Sequence, residues 1–168
     1  MQIFDQDTSV YSIGSVARRL GVSVQTLRLY EAEGMILPTK SDGGQRRYSE
    51  RDVKRLECIR QAIVKDGISV AGIRRMQSLV PCWSIVHCTE AERVVCPAFR
   101  DHDGGCWTYK HADNVCSGKE CRLCEVYQLS STCEGIKQII SRTTIVPRTE
   151  VQPARAADGG KLERETSV

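Results

Sequence analysis

Residues 11–37, YSIGSVARRLGVSVQTLRLYEAEGMIL, decide the fold class of the N-terminal half of this chain. Ser12 is a good N-cap residue, and the apolar residues after it follow the spacing of one helix face until Gly21 ends the pattern. Ser23 can begin a second helix, which Gly34 closes. Two short helices joined by a tight turn that contains glycine form the outline of a helix-turn-helix.

Outward from these two helices, the sequence predicts a wing and two further helices. Residues 35–48 contain too many turn-forming residues for a helix, and their apolar ends suit a small hairpin. Ser49 and Asp52 resemble a capping box at the start of a third helix, and Ser69 can cap a fourth. The expected fold class is therefore mainly α, with a winged helix-turn-helix domain of four helices over residues 10–80.

The composition is that of an ordinary folded protein rather than a fibrous or disordered one. The 168 residues are 40% hydrophobic and 27% charged, and the formal net charge is +3. The positive excess is concentrated in residues 1–81, which permits nucleic acid as a partner. We expect a cytoplasmic protein without a membrane partner, because no run of about 18 apolar residues is present and the N-terminus is acidic where a signal peptide would be basic.

Three sequence blocks carry a resemblance to a known family. They are VSVQTLRLYEAEGMI (residues 22–36), GGQRRYSERDV (residues 43–53) and GISVAGIRRM (residues 67–76). Over residues 10–78 the sequence resembles the MerR family of transcriptional regulators, and the spellings QTLRLYE, GGQRRYS and VAGIRRM are closer to its heat-shock repressor branch. The resemblance implies a homodimer that binds a double-stranded DNA operator, with RNA polymerase as a further candidate partner.

The resemblance and the chemistry of the second helix together give the candidate DNA-binding residues. In the family, the second helix reads bases, while the wing and neighbouring tyrosines hold the phosphate backbone. A helix with amide, hydroxyl and guanidinium donors near its N-terminal half can enter a major groove, and arginines on a wing can reach phosphates. The alternative is that the arginines only solvate a small helical domain. The candidates are Arg18, Gln25, Thr26, Arg28, Tyr30, Arg46, Arg47 and Tyr48.

Two places depart from the family pattern. Leu29 stands where a second tyrosine is commoner, which leaves Tyr30 alone there. Pro81 and Cys82 stand where many members begin a long helix that forms an antiparallel dimer coiled coil. The sequence therefore does not identify the dimer surface, and repression by occupancy of the operator is as plausible as activation by untwisting of a promoter.

Eight of the nine cysteines crowd into residues 82–133, while Cys58 stands apart as an expected packed thiol in the third helix. A cytoplasmic protein keeps its thiols reduced, so the crowding favours metal or redox chemistry over disulfides. The segment is also poor in Leu and Ile, and so small a fold usually needs a metal or cross-links. We expect a small irregular metal-stabilised cysteine-rich domain over residues 81–140. Its candidate metal ligands are Cys82, Cys88, Cys96, Cys106, Cys116, Cys121, Cys124 and Cys133.

The identity of the metal is left open among soft ions. Thiolate ligation selects zinc, copper(I) or iron in clusters, and Cys121 and Cys124 form a tight Cys-x-x-Cys pair. Trp83 and Trp107 directly follow cysteines and could screen a cluster from water, which favours an iron–sulfur cluster of the 4Fe-4S type over zinc. The alternative is that both rings are simply core residues. His87, His102 and His111 could each replace a cysteine as ligand.

Residues 82–127 also resemble a small bacterial cysteine module known as the two-CW domain. The resemblance rests on the Cys-Trp pairs at positions 82/83 and 106/107, the sequence CPAF at 96–99 and the sequence CRLCEVY at 121–127. It implies a ligand-binding module without naming the ligand.

The two ends of the chain are expected to be flexible, and the sequence contains no catalytic motif. Residues 1–9 are predicted to be a flexible N-terminus, and residues 141–168 have the Pro, Gly and charge content of a disordered tail after a short last helix. No phosphate-binding loop, nucleophile elbow or pair of catalytic carboxylates is present, so we do not expect an enzyme.

The combined hypothesis is a regulator in which the cysteine-rich domain binds an iron–sulfur cluster or other thiophilic metal. In this hypothesis the domain senses redox state, a small reactive molecule or a metal. The alternative is a constitutive DNA-binding protein with a purely structural zinc domain used for partner binding.

Overall fold

The chain forms nine α-helices and three short β-strands over residues 6–130 and 132–143, which are the residues that this computed structural model describes. Of Cys133, Arg142 and Thr143 only the backbone is described. The N-terminal part consists of β1 (Tyr11–Ser12), α1 (Ile13–Leu20), α2 (Val24–Ala32), β2 (Thr39–Lys40), β3 (Arg46–Tyr48), α3 (Glu50–Val64) and α4 (Val70–Ser78). The C-terminal part consists of α5 (Cys82–Val86), α6 (Glu90–Val95), α7 (Pro97–Arg100), α8 (Glu125–Leu129) and α9 (Cys133–Thr143), with 3₁₀ turns at Cys106–Thr108 and Cys121–Leu123.

The predicted helix-turn-helix and the four N-terminal helices are confirmed, with the predicted serine at the start of each. The hydroxyls of Ser12, Ser23 and Ser69 each accept a hydrogen bond from a backbone N–H in the first turn of the helix that follows. At the start of α3, Ser49 and Asp52 form both hydrogen bonds of a capping box. These caps satisfy backbone donors that the first helical turn cannot satisfy internally.

The predicted wing is the β2–β3 hairpin, and the structure adds a third strand to it. β3 lies in the centre of an antiparallel sheet in the order β1-β3-β2, with Tyr11 opposite Tyr48 and Thr39 opposite Arg47. The sequence did not predict β1, because a strand of two residues is too short to show an alternating pattern. This pairing fixes the wing to the residues that directly precede α1.

The N-terminal part has its own apolar core between the sheet and the helices. Its members come from every helix of this part and from both flanks of the wing, so the core locks α2 against α1 and α3. The residues with no exposed surface are Leu27, Met35, Ile36, Tyr48, Val53 and Leu56.

The cysteine-rich part is more helical and better packed than the irregular domain that the sequence predicts. Its helices α5 to α8 have four to six residues each, which is too short for a 3.6-residue apolar period to appear. The capping box of Thr89 and Glu92 at α6 was a readable signal that the sequence analysis missed. A second apolar core is formed by Val80, Trp107, Val126, Tyr127 and Ile139.

The described residues of the two predicted flexible ends are attached to helices of the fold. Asp7 makes an ion pair with Arg51 at 2.6 Å, and the Arg51 backbone N–H donates to the carbonyl of Gln6. Residues 6–9 are therefore tied to α3, and residues 141–143 belong to α9. The remaining residues of the two predictions, 1–5 and 144–168, lie outside the described part of the chain.

The two parts of the chain are joined by a buried arginine of α3. Arg55 donates hydrogen bonds to the carbonyl of Met35 at 2.8 Å, to the carbonyl of Tyr127 at 2.7 Å and to the hydroxyl of Ser130 at 3.2 Å. Its guanidinium carbon lies 4.0 Å from the ring centre of Tyr127 and 4.9 Å from that of Trp107. Met35 belongs to the N-terminal part and the other partners to the cysteine-rich part, so one side chain holds both.

Replacement of Arg55 should destabilise the whole chain. Arg55→Met keeps the apolar stem but removes the donor to the buried Met35 carbonyl and one of the two donors to the Tyr127 carbonyl, which also accepts from the Ser130 hydroxyl. We expect a loss of about 3 kcal/mol in the free energy of unfolding. Urea denaturation followed by circular dichroism and tryptophan fluorescence measures this loss. Lys54→Met, at an exposed neighbouring position of α3, is the matched control and should change stability by less than about 0.5 kcal/mol. Equal effects of the two variants would contradict the role of Arg55.

Candidate functional site

The exposed face of α2 carries part of the predicted DNA-binding set. Gln25, Arg28, Leu29 and Ala32 are the exposed residues of this helix, and their spacing places them on one face. Gln25 and Arg28 offer amide and guanidinium donors there, and the exposed Leu29 adds an apolar group that suits contact with a thymine methyl. In the sequence, Leu29 is only a departure from the family pattern, because its exposure depends on how α2 packs.

Two further candidates lie around this face. Arg18, near the end of α1, is exposed to solvent. Thr26 is half-buried, and its hydroxyl lies 2.9 Å from that of Ser23, so it takes part in the cap that begins α2.

The wing is tied to α2 through one of its arginines. Arg46 makes an ion pair with Glu31 of α2, and this hydrogen bond raises the pKa of Arg46. Arg47 is half-buried in the centre of the sheet, whereas Lys40 of β2 is exposed. Lys40 is thus a cation of the wing that the sequence analysis did not select, because its exposure follows from the pairing of the strands.

The two tyrosines of the predicted set lie in the core. Tyr30 is 6% exposed and Tyr48 has no exposed surface. The hydroxyl of Tyr48 has no hydrogen-bond partner among the described residues, and burial raises its pKa to about 12. Both rings therefore support the helices and the wing from inside, which differs from the surface position expected of residues that hold DNA.

The cysteine-rich part contains a small cavity lined by thiols, which we call the cysteine pocket. It has a volume of about 20 Å³. One imidazole and one ammonium group, from His111 and Lys119, also line it, and the walls between the thiols are apolar. The cysteines of the pocket are Cys82, Cys106, Cys116, Cys121 and Cys124, and its apolar walls are Val86, Trp107, Val126 and Tyr127.

The structure thus brings five of the eight predicted ligands together in one cavity. Cys88 and Cys96 do not line the pocket, although the sulfur of Cys96 lies 3.9 Å from Nδ1 of His111. The side chain of Cys133 lies outside the described residues. Cys58, in α3, is half-buried and distant in sequence from the rest, and no disulfide forms among the cysteines with described side chains.

The thiols of the pocket interact strongly with one another. The Cys106 thiol donates a hydrogen bond to the sulfur of Cys82, which lowers the pKa of Cys82 and raises that of Cys106. Burial raises the pKa of Cys116 to about 11, and burial also raises the pKa of Cys121. Most of these groups are therefore neutral thiols near pH 7 when nothing is bound to them.

The possible metal ligands of the pocket are not arranged as the ligands of a single metal ion. Among residues 6–130 and 132–143, no three or more His, Cys, Asp or Glu side chains are grouped closely enough to hold a single metal ion. Tetrahedral zinc with Zn–S distances of about 2.3 Å requires its sulfurs to lie roughly 3.8 Å apart. The pocket therefore offers the donor chemistry of a thiophilic metal, although no three of its described donors are arranged to hold one ion.

The residues beside the pocket cysteines contact the segment that joins α2 to the wing. We call residues 34–37 the joint. The indole N–H of Trp107 donates to the carbonyl of Gly34 at 2.7 Å, and the hydroxyl of Tyr127 accepts from the backbone N–H of Leu37 at 2.9 Å. Arg122 donates to the carbonyl of Leu37 and to Asp52, at 2.9 Å, in the capping box of α3.

A close backbone approach makes glycine necessary at the start of the joint. Gly34 has a φ of 69°, and a Cβ at this position would overlap the methyl group of Thr108. Arg74 of α4 adds ion pairs at 2.7 Å to Glu33 and to Asp103 of the cysteine-rich part. These contacts were not predicted, although Trp107 and Arg122 each directly follow a cysteine in the sequence.

The fold and the exposed α2 define a winged helix-turn-helix domain of the kind found in DNA-binding proteins. Residues 11–79 match the family model described as MerR HTH family regulatory protein, so this part of the chain is a MerR-type helix-turn-helix domain. The match ends before the first Cys-Trp pair, and the resemblance of residues 82–127 to the two-CW domain stays an expectation. No solved structure matches the chain at a significant level.

Three curated relatives are similar to this chain. The putative heat shock protein HspR of Streptomyces coelicolor is 40% identical over 74 residues, which cover 44% of this chain and 49% of HspR. The HTH-type transcriptional regulator TnrA of Bacillus subtilis is 41% identical over 68 residues, 40% of this chain and 61% of TnrA. The mercuric resistance operon regulatory protein of Pseudomonas fluorescens is 37% identical over 81 residues, 48% of this chain and 54% of that protein. The chain thus spans about half to three fifths of the length of these relatives.

Among the described residues, no helix is both long enough and apolar enough to cross a bilayer.

Removal of the Tyr48 hydroxyl should not weaken the fold and should reduce its sensitivity to alkaline pH. Tyr48→Phe removes a buried hydroxyl without a partner, so we expect stability at pH 7 to be unchanged or higher by up to about 1 kcal/mol. Burial raises the pKa of Tyr48 in the folded chain to about 12, above the value of about 10 that a tyrosine has in an unfolded chain. The contribution of neutral Tyr48 to stability is therefore fully present below about pH 10. That contribution is lost as pH rises from about 10 to 12, and it amounts to roughly 2 kcal/mol.

Urea denaturation of the wild type and of Tyr48→Phe at neutral and alkaline pH measures both effects. The wild type should lose more stability than the variant at high pH. Parallel curves of stability against pH, or a strong destabilisation at pH 7, would contradict the environment assigned to Tyr48.

Proposed function

We propose that this chain is a DNA-binding transcriptional regulator of the MerR type in which a thiophilic metal, favoured as an iron–sulfur cluster, controls DNA affinity from the cysteine pocket. One observation carries the proposal. Trp107, Arg122 and Tyr127, which lie next to pocket cysteines or in the pocket wall, make hydrogen bonds to the joint between α2 and the wing. A change in the pocket therefore acts on the two elements that would contact DNA.

The DNA-binding part of the proposal rests on the matched domain and on the exposed face of α2. Relatives over this domain are described as an HTH-type transcriptional regulator and as an operon regulatory protein. Gln25 and Arg28 would read base edges in the major groove, and Arg18 and the wing cations would contact phosphates. The partner would be a double-stranded operator bound by a homodimer in the cytoplasm, with RNA polymerase as a further partner if the outcome is activation.

The metal part of the proposal rests on the donor chemistry of the pocket. Five thiols and one imidazole line a cavity with apolar walls, which is the donor set that zinc, copper(I) or iron–sulfur clusters take. When bound, a cluster would supply a centre that responds to oxidants or small reactive molecules. The cysteines would hold it, while Trp107 and Val126 would exclude water from it.

The coupling part of the proposal follows from the positions of the side chains in the chain. Arg122 lies between Cys121 and Cys124, and Trp107 follows Cys106, so a shift of these cysteines moves the side chains bound to the joint. The joint sets the angle between α2 and the wing, since it is only four residues long and Met35 and Ile36 are fully buried. Gain, loss or oxidation of the metal would thus change how α2 and the wing fit DNA together.

A second candidate function has a specific observation in its favour. Arg55 and the second apolar core make the cysteine-rich part integral to the fold, as a structural zinc domain would be. In that case DNA binding would be constitutive, and the domain would serve as a surface for a protein partner. Equal operator affinity of the metal-loaded, metal-stripped and ferricyanide-oxidised protein would favour this second function over the first.

Loss of the guanidinium of Arg28 should weaken sequence-specific DNA binding. An Arg28→Ala variant loses a donor on the exposed face of α2, and we expect a 10- to 100-fold weaker affinity, about 1–3 kcal/mol, for a duplex that the wild type selects from a random pool. Fluorescence anisotropy at fixed salt measures the affinity. Lys137→Ala, which removes an exposed cation from α9, is the control and should bind that duplex as the wild type does. A wild-type affinity for Arg28→Ala would exclude α2 as the reading element.

Loss of the Tyr127 hydroxyl should weaken the coupling between pocket and DNA. In the wild type we expect the affinities of the metal-loaded and metal-stripped protein for the selected duplex to differ by roughly 5- to 150-fold. Tyr127→Phe keeps the ring but removes the acceptor for the Leu37 N–H, so this ratio should move towards one. Tyr109→Phe removes a hydroxyl that accepts only from within the cysteine-rich part, from the Asp103 N–H, and should leave the ratio unchanged. Identical ratios in the wild type and in Tyr127→Phe would exclude this path.

A further inference from the structure

A second cavity, which we call the interhelical cavity, lies between α3, α4 and the start of α9. It has a volume of about 90 Å³, and among the described residues it shares no lining side chain with the cysteine pocket. Its walls are mostly apolar, with Ile59 and Ala62 from α3, Ile73 from α4 and Ile136 from α9. Two helices of the matched domain thus meet the last helix of the cysteine-rich part around a space that the proposed function does not use.

One polar side chain stands among these apolar walls. Gln77 follows Ile73 by four residues, so both lie on the same face of α4, and they are 6% and 7% exposed. The side-chain amide of Gln77 makes no hydrogen bond to any residue in the described part of the chain. A buried amide without a partner destabilises a fold, and an apolar residue would pack at this position without that cost.

The amide of Gln77 borders the interhelical cavity. In residues 6–130 and 132–143, the fully enclosed side-chain nitrogen and oxygen atoms that lack a partner belong to Tyr48 and Arg93, so the Gln77 amide is not sealed inside packed atoms. Because Gln77 is buried and lines the cavity, the open space beside its amide is the cavity. The amide thus presents N–H donors and a carbonyl acceptor to a molecule inside.

Water alone is a poor occupant of this space. An ordered buried water makes about two to four hydrogen bonds, which requires several polar groups at one place. Among the other polar side chains of the cavity, the hydroxyl of Ser130 already accepts from Arg55 at 3.2 Å and donates to the carbonyl of Tyr127 at 2.9 Å. A single amide among apolar walls suits a molecule that has an apolar body and one polar group.

The charges around the cavity disfavour an ion. Arg55 lines the cavity from its buried side, where its charge opposes a cation, and the exposed Asp66 opposes an anion. Transfer of either ion from water to apolar walls also costs free energy that one amide does not offset. The chemistry of the cavity therefore selects a neutral molecule.

The dimensions of the cavity set the size of this molecule. Its volume of about 90 Å³ compares with about 150 Å³ for an apolar cavity that binds benzene. Met76 lines the cavity and is 45% exposed, so the cavity reaches the surface there and its occupant need not be fully enclosed. A molecule of roughly five to seven non-hydrogen atoms matches this space.

We propose that the interhelical cavity is a binding site for a small neutral molecule with an apolar body and one hydroxyl group, of the class of phenols and short-chain alcohols. Gln77 holds the hydroxyl, and the isoleucines of α3, α4 and α9 enclose the apolar body. The bound molecule contacts both halves of the chain, so it stabilises their packing by mass action. The site requires neither metal nor DNA, and the inference is therefore independent of the proposed function.

A titration of the wild-type full chain with phenol tests the site. The protein carries ¹³C at its isoleucine methyl groups, and phenol is added in the millimolar range, where so small a ligand is expected to bind. The methyl signals of Ile59, Ile73 and Ile136 should shift and reach a plateau, whereas that of Ile13 in α1 should not move. An absence of shifts, shifts without a plateau, or shifts confined to isoleucines outside the cavity would overturn the inference.

A pair of matched ligands and a pair of matched variants test the role of Gln77. Toluene has a methyl group where phenol has its hydroxyl. Gln77→Leu keeps the size of the side chain but removes the amide, so phenol should bind about 3- to 10-fold more weakly while toluene binds at least as well as to the wild type. Gln138→Leu, the same substitution at an exposed position of α9, should change neither affinity. Equal effects of Gln77→Leu on both ligands, or no effect on phenol, would contradict the assignment.

Filling the cavity provides a test of where the ligand lies. Ala62→Leu adds apolar atoms to the wall at a position of α3 where leucine is compatible with a helix, and it should abolish the saturable shifts for both phenol and toluene. Wild-type binding of phenol by this variant would place the ligand elsewhere and overturn the inference. All of these titrations are made without metal and without DNA, so their failure leaves the proposed function standing.

Discussion

A guanidinium group that is buried needs hydrogen-bond acceptors, and the fold supplies them to Arg55 by bringing its two halves together. Arg55 is 1% exposed, and burial lowers its pKa, so its charge depends on the carbonyls and rings around it. The Met35 carbonyl comes from the N-terminal part, whereas Tyr127 and Ser130 come from the cysteine-rich part. Neither half alone supplies all of these acceptors, so the two halves pack together around this arginine.

A second contact between the N-terminal part and the cysteine-rich part lies at the start of α3. Asp52 starts α3 by accepting from the Ser49 N–H at 2.9 Å, and the same oxygen accepts from Arg122 at 2.9 Å. The carboxylate that begins a helix of the DNA-binding domain therefore also holds the turn that carries Cys121. The predicted domain boundary at Pro81 falls just after the matched residues 11–79 and before the cysteine-rich segment, and these contacts cross it.

Much of the N-terminal domain was predictable because its signals are local. Serine caps, a capping box and glycines at turns act within three or four residues, so Ser12, Ser23, Ser49 and Ser69 mark the helix starts in the sequence itself. The short helices α5 to α8 were missed because one or two turns cannot show a period. The burial of Tyr30 and Tyr48 was missed because the type of a residue does not show which face of its helix or strand packs against the core.

By itself, then, the sequence determined the class of the N-terminal domain, the presence of a cysteine-rich part and the chemistry that thiols can offer. Only the tertiary structure decided which thiols meet in one cavity and that Leu29 is exposed. It also decided that residues of the cysteine-rich part make hydrogen bonds to the joint after α2. The physical reason is the separation along the chain between the residues that interact. Caps and turns are set by neighbouring residues, whereas Cys82 and Cys124 meet only after the chain between them has folded back around Trp107 and Tyr127.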